Sequence, residues 1–280
     1  MRIAIAAALL AASILPASPQ TLLQRGEYLV NAVMGCDGCH TPRPGGQFDM
    51  SKRFSGGSMV FDEPEFTVRG SNITPDKETG IGAWSAADLK RALTDGVRPN
   101  GVPLAPQMPF AFYRILTATD LDAVVAYVQS VAPVRNEVPP PIYKALAHVV
   151  PIPDANRSIG DTVPADPVKR GFYLATIAHC MECHSRKPGA GQDYVNWWGK
   201  GGAEFKGPFG VVAARNISSH RQKGVGAWTD DELRRALTHG VGRDGRAFKL
   251  PMARQIYFSK MTTADIDAIV AWIRTIPPIE

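Results

Sequence analysis

The sequence predicts an all-α protein made of two tandem copies of one helical unit, related by internal duplication and joined by a Pro-rich linker. Three observations predict it. Sequence patterns recur at a constant offset of 144 residues, helix-start signals stand at matching places in both copies, and apolar residues fall at helical spacing with no convincing strand alternation. The offset relates Gly80-Ile81-Gly82-Ala83-Trp84-Ser85 to Gly224-Val225-Gly226-Ala227-Trp228-Thr229, Asn72-Ile73 to Asn216-Ile217, and Tyr113 to Tyr257. An offset held over that span leaves room for few net insertions, so the halves read as copies of one fold.

Taken in order, the chain opens with Arg2 and an apolar run from Ile3 to Leu15, cut short by Pro16 and Pro19. That run is shorter than the ~20 apolar residues a spanning helix needs, and residues 1–20 read as a cleaved secretory signal peptide. The first unit is expected over 21–133 and the second over 168–280. Each should hold three helices. The first runs from Leu22 to Met34, with a counterpart from Val168 to Ala178. The second follows Ser85-Ala86-Ala87-Asp88 and Thr229-Asp230-Asp231-Glu232, where an acid three residues after a hydroxyl has the capping-box pattern, and Gly96 and Gly240 stop it. The third starts near Thr119 and Thr263, with Leu121, Val124, Val125 and Val128 matched by Ile266, Ile269, Val270 and Ile273. Residues 134–167, which include Pro139-Pro140-Pro141, should form an extended strap, interrupted by a short helical stretch around Ile142–Val149.

With 45% hydrophobic and 20% charged residues the chain has a soluble globular balance, and 280 residues suffice for two domains. Its formal charge of +5 comes without a basic run, so no nucleic-acid partner is expected.

The chemistry lies in a repeated five-residue motif. Cys36-Asp37-Gly38-Cys39-His40 recurs as Cys180-Met181-Glu182-Cys183-His184. Two cysteines separated by two residues can add to the two vinyl groups of one haem, and the adjoining histidine then lies under the iron as an axial ligand. Zinc-binding cysteine pairs usually stand about 15–20 residues apart, far closer than this repeat, and a thioredoxin-like pair needs a βαβ context. The motif therefore predicts two covalently bound haem c groups, held by Cys36, Cys39, Cys180 and Cys183 with iron ligands His40 and His184. All four cysteines are thereby used, and no disulfide is expected.

The repeat also selects the sixth ligand. Among the methionines only Met108 and Met252 are separated by 144, each in a Pro-marked loop, and we expect them to complete the two iron sites rather than fill the core. A thioether ligand raises the reduction potential relative to a second histidine and closes the iron to small molecules, which favours electron carriage over catalysis. His179, His220 and His239 read as surface or loop residues, and His148 would reach an iron only if the strap crossed a haem face. For Trp84 and Trp228, and for Tyr113 and Tyr257, a bond to a haem propionate and packing in the core stand as equal readings. Arg43 and Lys187 could pair with a propionate, but solvent is favoured. The tract Asp193–Trp198 reads as buried beside the second haem rather than as a docking patch.

These residues carry a resemblance. Cys36–His40, the run Ser71-Asn72-Ile73-Thr74-Pro75-Asp76 with Gly80–Ser85, and the Met108-Pro109 loop resemble class I cytochrome c domains of bacterial diheme and multi-haem cytochromes. Similar domains form the cytochrome subunits of membrane-associated alcohol, aldehyde and gluconate dehydrogenases. Those subunits resemble three such domains with a C-terminal amphipathic anchor, whereas two copies are present here through Glu280. The second copy also has Ser218 for Thr74 and Ala253 for Pro109. The resemblance implies a periplasmic carrier of single electrons, exported by its signal peptide. Its partners would be redox proteins, namely a periplasmic or membrane dehydrogenase as donor and a terminal oxidase or other cytochrome as respiratory acceptor. Peripheral membrane association would come through the partner. The rival reading is a haem enzyme, peroxidase-like or thiosulfate-oxidising, with one iron open at the weaker Met252 loop.

Overall fold

Thr21 supplies the first described helix start. In the computed structural model, which describes residues 20–145, 148–207 and 210–280, the Thr21 hydroxyl accepts from the Gln24 backbone N–H, and the Gln24 side chain accepts from Thr21 N–H in return. Helix α1 then runs Leu22–Tyr28. The export segment expected at the N-terminus falls on residues 1–19, outside the described residues.

α1 passes into a π-helix at Leu29–Met34, where Gly35 N–H donates to Val30 O at 3.1 Å, five residues back. A one-residue difference between the copies causes this. Arg25, Gly26 and Tyr28 recur as Arg170, Gly171 and Tyr173, an offset of 145, while the cysteines recur at 144. The first copy has one more residue to accommodate before its cysteines, and a π turn absorbs it without breaking the helix.

Among the described residues the remaining α-helices are α2 (Asp37–His40), α3 (Ala86–Asp95), α4 (Phe110–Tyr113), α5 (Ala118–Ser130), α6 (Pro167–Ile177), α7 (Cys180–His184), α8 (Asp230–His239), α9 (Gln255–Phe258) and α10 (Thr263–Ile273). Ser85 and Thr229 close capping boxes on α3 and α8, and Gly96 and Gly240 end them in the left-handed conformation. α1 crosses α5, and α6 crosses α10, at glycines. A Cβ on Gly26 would lie 2.0 Å from Ala123 O, and one on Gly171 1.9 Å from Ala268 O, so only glycine permits these crossings.

The all-α expectation is corrected. Among the described residues three small sheets accompany the helices, with 35% helix and 11% strand, so the fold is mixed α and β. In the first, β1 (Val60–Asp62) pairs antiparallel with β2 (Phe66–Arg69), and β3 (Ile142–Tyr143) pairs with the other edge of β2. The others are β4 (Arg186–Lys187) with β5 (Gly191–Gln192), and β6 (Glu204–Gly207) with β7 (Gly210–Ala213). These strands are two to four residues long. Alternation of buried Phe66 and Val68 with Thr67 and Arg69 is all the signal β2 can give. They form because long loops must pair their own backbone donors and acceptors.

The short helix expected around Ile142–Val149 is corrected too. Ile142 and Tyr143 are a strand, Lys144 and Ala145 donate to Glu65 O, and Leu146 and Ala147 lie outside the described residues. Three successive prolines deliver an extended chain, which joins a sheet edge instead of turning.

One buried cluster holds residues of both copies, among them Val33, Tyr113 and Val124 from the first and Tyr173, Ile177 and Ile269 from the second. Two buried carboxylates tie the copies together. Asp120 accepts from Arg25 of its own copy (2.7 Å) and from the Tyr173 hydroxyl of the other (2.6 Å). Asp265 repeats this with Arg170 (2.6 Å) and the Tyr28 hydroxyl (2.5 Å). Every acceptor so buried must be satisfied, which makes these bonds specific locks rather than incidental contacts. The strap buries Ile152 and Ala155, and its Val134 O accepts from Asn72 Nδ2 at 2.8 Å. The C-terminal segment does the same for the second copy, where Ile279 O accepts from Asn216 Nδ2 at 2.7 Å.

Candidate haem sites

Each cysteine motif begins at a forced change of direction. Gly35 (φ 66°) ends the π-helix and His179 (φ 48°) follows α6, both left-handed, and a turn of helix then carries the second cysteine and the histidine. In that turn His40 N–H donates to Cys36 O at 3.0 Å. The backbone beyond is pinned in both copies: Gly56 N–H donates to His40 O at 2.7 Å and Gly201 N–H to His184 O at 2.8 Å. Gly70, at the end of β2, lies so close that a Cβ would meet Cys39 O at 1.9 Å.

The two histidines are oriented identically. His40 Nδ1 lies 2.7 Å from Ser71 O, and His184 Nδ1 lies 2.7 Å from Arg215 O. A carbonyl oxygen only accepts, so Nδ1 carries the hydrogen and Nε2 keeps a free lone pair, the tautomer a metal needs. Burial pushes the pKa of both imidazoles down, partly countered by these carbonyl bonds, and so favours the neutral ring.

All four cysteines are of intermediate exposure, and none is disulfide-bonded. Burial raises each pKa, to about 12 for Cys36 and Cys183 and about 11 for Cys39 and Cys180. Among the described residues no group of three or more His, Cys, Asp or Glu side chains could hold a metal ion. Each motif instead offers two thiols and one preoriented imidazole on a single turn, a donor set that fits covalently attached haem c.

The methionine loops share a turn, with Phe110 N–H donating to Met108 O (2.7 Å) and Arg254 N–H to Met252 O (2.6 Å). Met108 packs against the core, and Met252 follows a cis Leu250–Pro251 bond in a partly exposed loop. Trp84 and Trp228 are half-buried against the core, and Tyr113 and Tyr257 are buried in it.

Several expectations change. Arg43 does not face solvent but stacks 3.9 Å from the Phe48 ring centroid and donates to Tyr257 of the other copy, whereas Lys187 is exposed. His148 is exposed, His220 makes a local loop bond, and His239, the last residue of α8, bonds to the neighbouring Thr238 hydroxyl. His179, read as a surface or loop residue, stands in the connection between α6 and α7 and lies between the copies: its Nδ1 is 2.8 Å from Glu182 Oε2, and its ring centroid is 6.4 Å from that of Phe112. In the tract Asp193–Trp198, Tyr194 is buried and Trp198 packs edge-on against Trp272. Sequence reasoning missed Arg254, whose only signal was a charge where the first copy has uncharged Pro109 and Phe110.

No family model matches the chain. Over 91% of its length it is 32% identical to the fructose dehydrogenase cytochrome subunit of Gluconobacter japonicus, covering 52% of that protein. It is 30% identical to the gluconate 2-dehydrogenase cytochrome c subunit of Pantoea cypripedii, covering 59%. It is 28% identical to the diheme cytochrome c-type of Cereibacter sphaeroides, covering 86%. The chain spans about half the length of these dehydrogenase subunits.

Proposed function

We propose that this chain, a homologue of dehydrogenase cytochrome c subunits and of a diheme c-type cytochrome, relays single electrons in the periplasm between a dehydrogenase or other donor and a respiratory acceptor. It is read as the electron-transfer subunit, as the relatives' names are those of cytochrome subunits. One observation carries the reading: two cysteine pairs at equivalent places, each followed by a histidine whose Nδ1 is held 2.7 Å from a backbone carbonyl. Cys36, Cys39, His40 and Met108 would hold one haem c, and Cys180, Cys183, His184 and Met252 the second. Bound haem would supply a one-electron Fe(III)/Fe(II) couple.

The chain's own residues supply the rest. Ser71 O and Arg215 O aim the imidazoles, and buried Tyr113 and Tyr257 exclude water beside the motifs. We place the two haem-bearing units at 21–133 and 168–280, with 134–167 joining them and residues 1–20 directing export. Among the described residues no helix is long and apolar enough to cross a membrane.

The test is an alkaline pyridine haemochrome assay on periplasmic protein, followed by carbon monoxide addition to the reduced form. Two haems per chain and an unchanged spectrum with carbon monoxide support two closed histidine–methionine irons and a carrier. Replacing Met252 with alanine should then open the second haem alone to carbon monoxide. Ready binding to the unsubstituted protein would move the reading to the haem enzyme, with the partly exposed Met252 loop as the open position.

A further inference from the structure

The second copy places a cation between the two attachment segments where the first copy has none. Arg254 is the residue before α9, the place Pro109 takes before α4, and Phe110, 144 residues earlier, is uncharged too. Its backbone is anchored on Met252 O, and its side chain crosses toward the first copy. Nη2 lies 3.3 Å from Met34 O, two residues before Cys36, and 3.5 Å from Nε2 of His179, the residue before Cys180. A Cβ on Gly35 would come within 3.0 Å of the same nitrogen. The guanidinium lies 5.6 Å from the Tyr257 ring centroid and 5.3 Å from that of Phe258. Arginine can only donate, so His179 Nε2 accepts, which leaves the hydrogen on Nδ1 for Glu182 Oε2. Arg254 Nε is buried without a hydrogen-bond partner, so the cation is partly stripped of water and its field is weakly screened.

We infer that Arg254 is a positioning residue shared by both haem sites, a fixed cation that holds their two reduction potentials up together. The inference rests on the haem reading above. Reduction adds one negative charge to a site, so a nearby permanent cation favours the reduced form. The cation touches both motifs' approaches, since Met34 stands two residues before Cys36 and His179 directly precedes Cys180. Arg43, three residues after His40 and stacked on the Phe48 ring, supplies a comparison on the first motif's side.

The experiment is a spectroelectrochemical titration of the full chain carrying both haems, with Arg254→Gln, Arg254→Lys and Arg43→Gln. Arg254→Gln should lower both midpoint potentials, each by about tenfold in the reduced-to-oxidised ratio at fixed applied potential, or about 59 mV for a one-electron couple. Arg254→Lys should keep at least half of that, and Arg43→Gln should lower one potential only. If Arg254→Gln does not accumulate, Arg254→Met, which keeps the stem packed on Tyr257, carries the same expectation. A shift at one haem alone, no shift, or equal shifts for lysine and glutamine would overturn the inference. Fewer than two haems per unsubstituted chain would instead sink the haem reading, before any potential is measured.

Discussion

At matching places behind the two attachment turns, the same backbone holds opposite chemistry. In the first copy, Asp37 accepts from Arg53 through both carboxylate oxygens (3.0 and 2.7 Å), and Arg53 also donates to Asn31 Oδ1 (2.6 Å) and the Tyr127 hydroxyl (3.3 Å). In the second copy, Met181 replaces Asp37, and tryptophans replace Arg53 and Tyr127. Trp198 packs edge-on against Trp272 at 6.4 Å and against Tyr194 at 6.1 Å, with Phe172 beyond. The bonds fix the match: Phe54 N–H donates to Thr41 Oγ1 as Gly199 N–H does to Ser185 Oγ. A duplicated fold can thus support its cysteine–histidine turn either by a satisfied ion pair or by aromatic volume. The two differ in how they fail. An aromatic cluster loses packing in proportion to what is removed, whereas an ion pair that loses one member leaves a charge without its partner.

That difference sets the expected order of effects. Trp272→Ala should cost about 4 kcal/mol, since a large buried side chain leaves a cavity at the centre of the ring cluster. Asp37→Ala should cost about 3 kcal/mol, at the lower end for a broken buried pair because Arg53 keeps some access to water. Denaturant unfolding of the holoprotein measures both. The double change Asp37→Met with Arg53→Trp, which imports the second copy's chemistry, should cost less than half of Asp37→Ala. A double variant no better than the single one would mean that the two supports are not interchangeable.

The start of each motif offers a milder comparison. Gly35→Ala should destabilise by about 1.5 kcal/mol, because the position is left-handed and the new methyl would meet the Tyr257 ring at 3.1 Å. His179→Gly should cost under ~1 kcal/mol, since relief of its backbone strain offsets the lost Glu182 bond. Unfolding midpoints that reverse this order would break the equivalence of the two turns.

An effect of similar modest size concerns the cross-copy locks. Burial and the bond to Asp265 raise the Tyr28 pKa from 10.0 to about 12. A folded pKa above the unfolded one gives stability that is full below pH 10 and fades as pH rises toward 12. Tyr28→Phe should lower stability at pH 8 by about 1 kcal/mol and flatten the loss over that window. Unfolding followed from pH 8 to 12 would show a window unchanged by the substitution if Tyr28 does not contribute to it.

Much of this was legible from sequence, for reasons that lie in particular residues. Ser85 with Asp88, and Thr229 with Glu232, are local signals, because a cap needs only its own next turn, and both capping boxes form. The strands were illegible because β3 gains its partners from β2, more than seventy residues earlier, and two residues carry no period. The π-helix was hidden by reading the offset as 144 throughout, when Gly26 and Gly171 stand 145 apart.

By itself the sequence determined the duplication, the two cysteine–histidine motifs, the helix starts and stops, and the paired methionine loops, since each depends on spacing along the chain. Tertiary structure alone decided that the copies share one buried cluster, that Tyr28 and Tyr173 reach the other copy's aspartate, and that Arg254 lies between the two attachment segments. Those contacts join residues as many as 237 positions apart. Their energy comes from desolvation and hydrogen-bond satisfaction at a packed interface, quantities that no local pattern encodes.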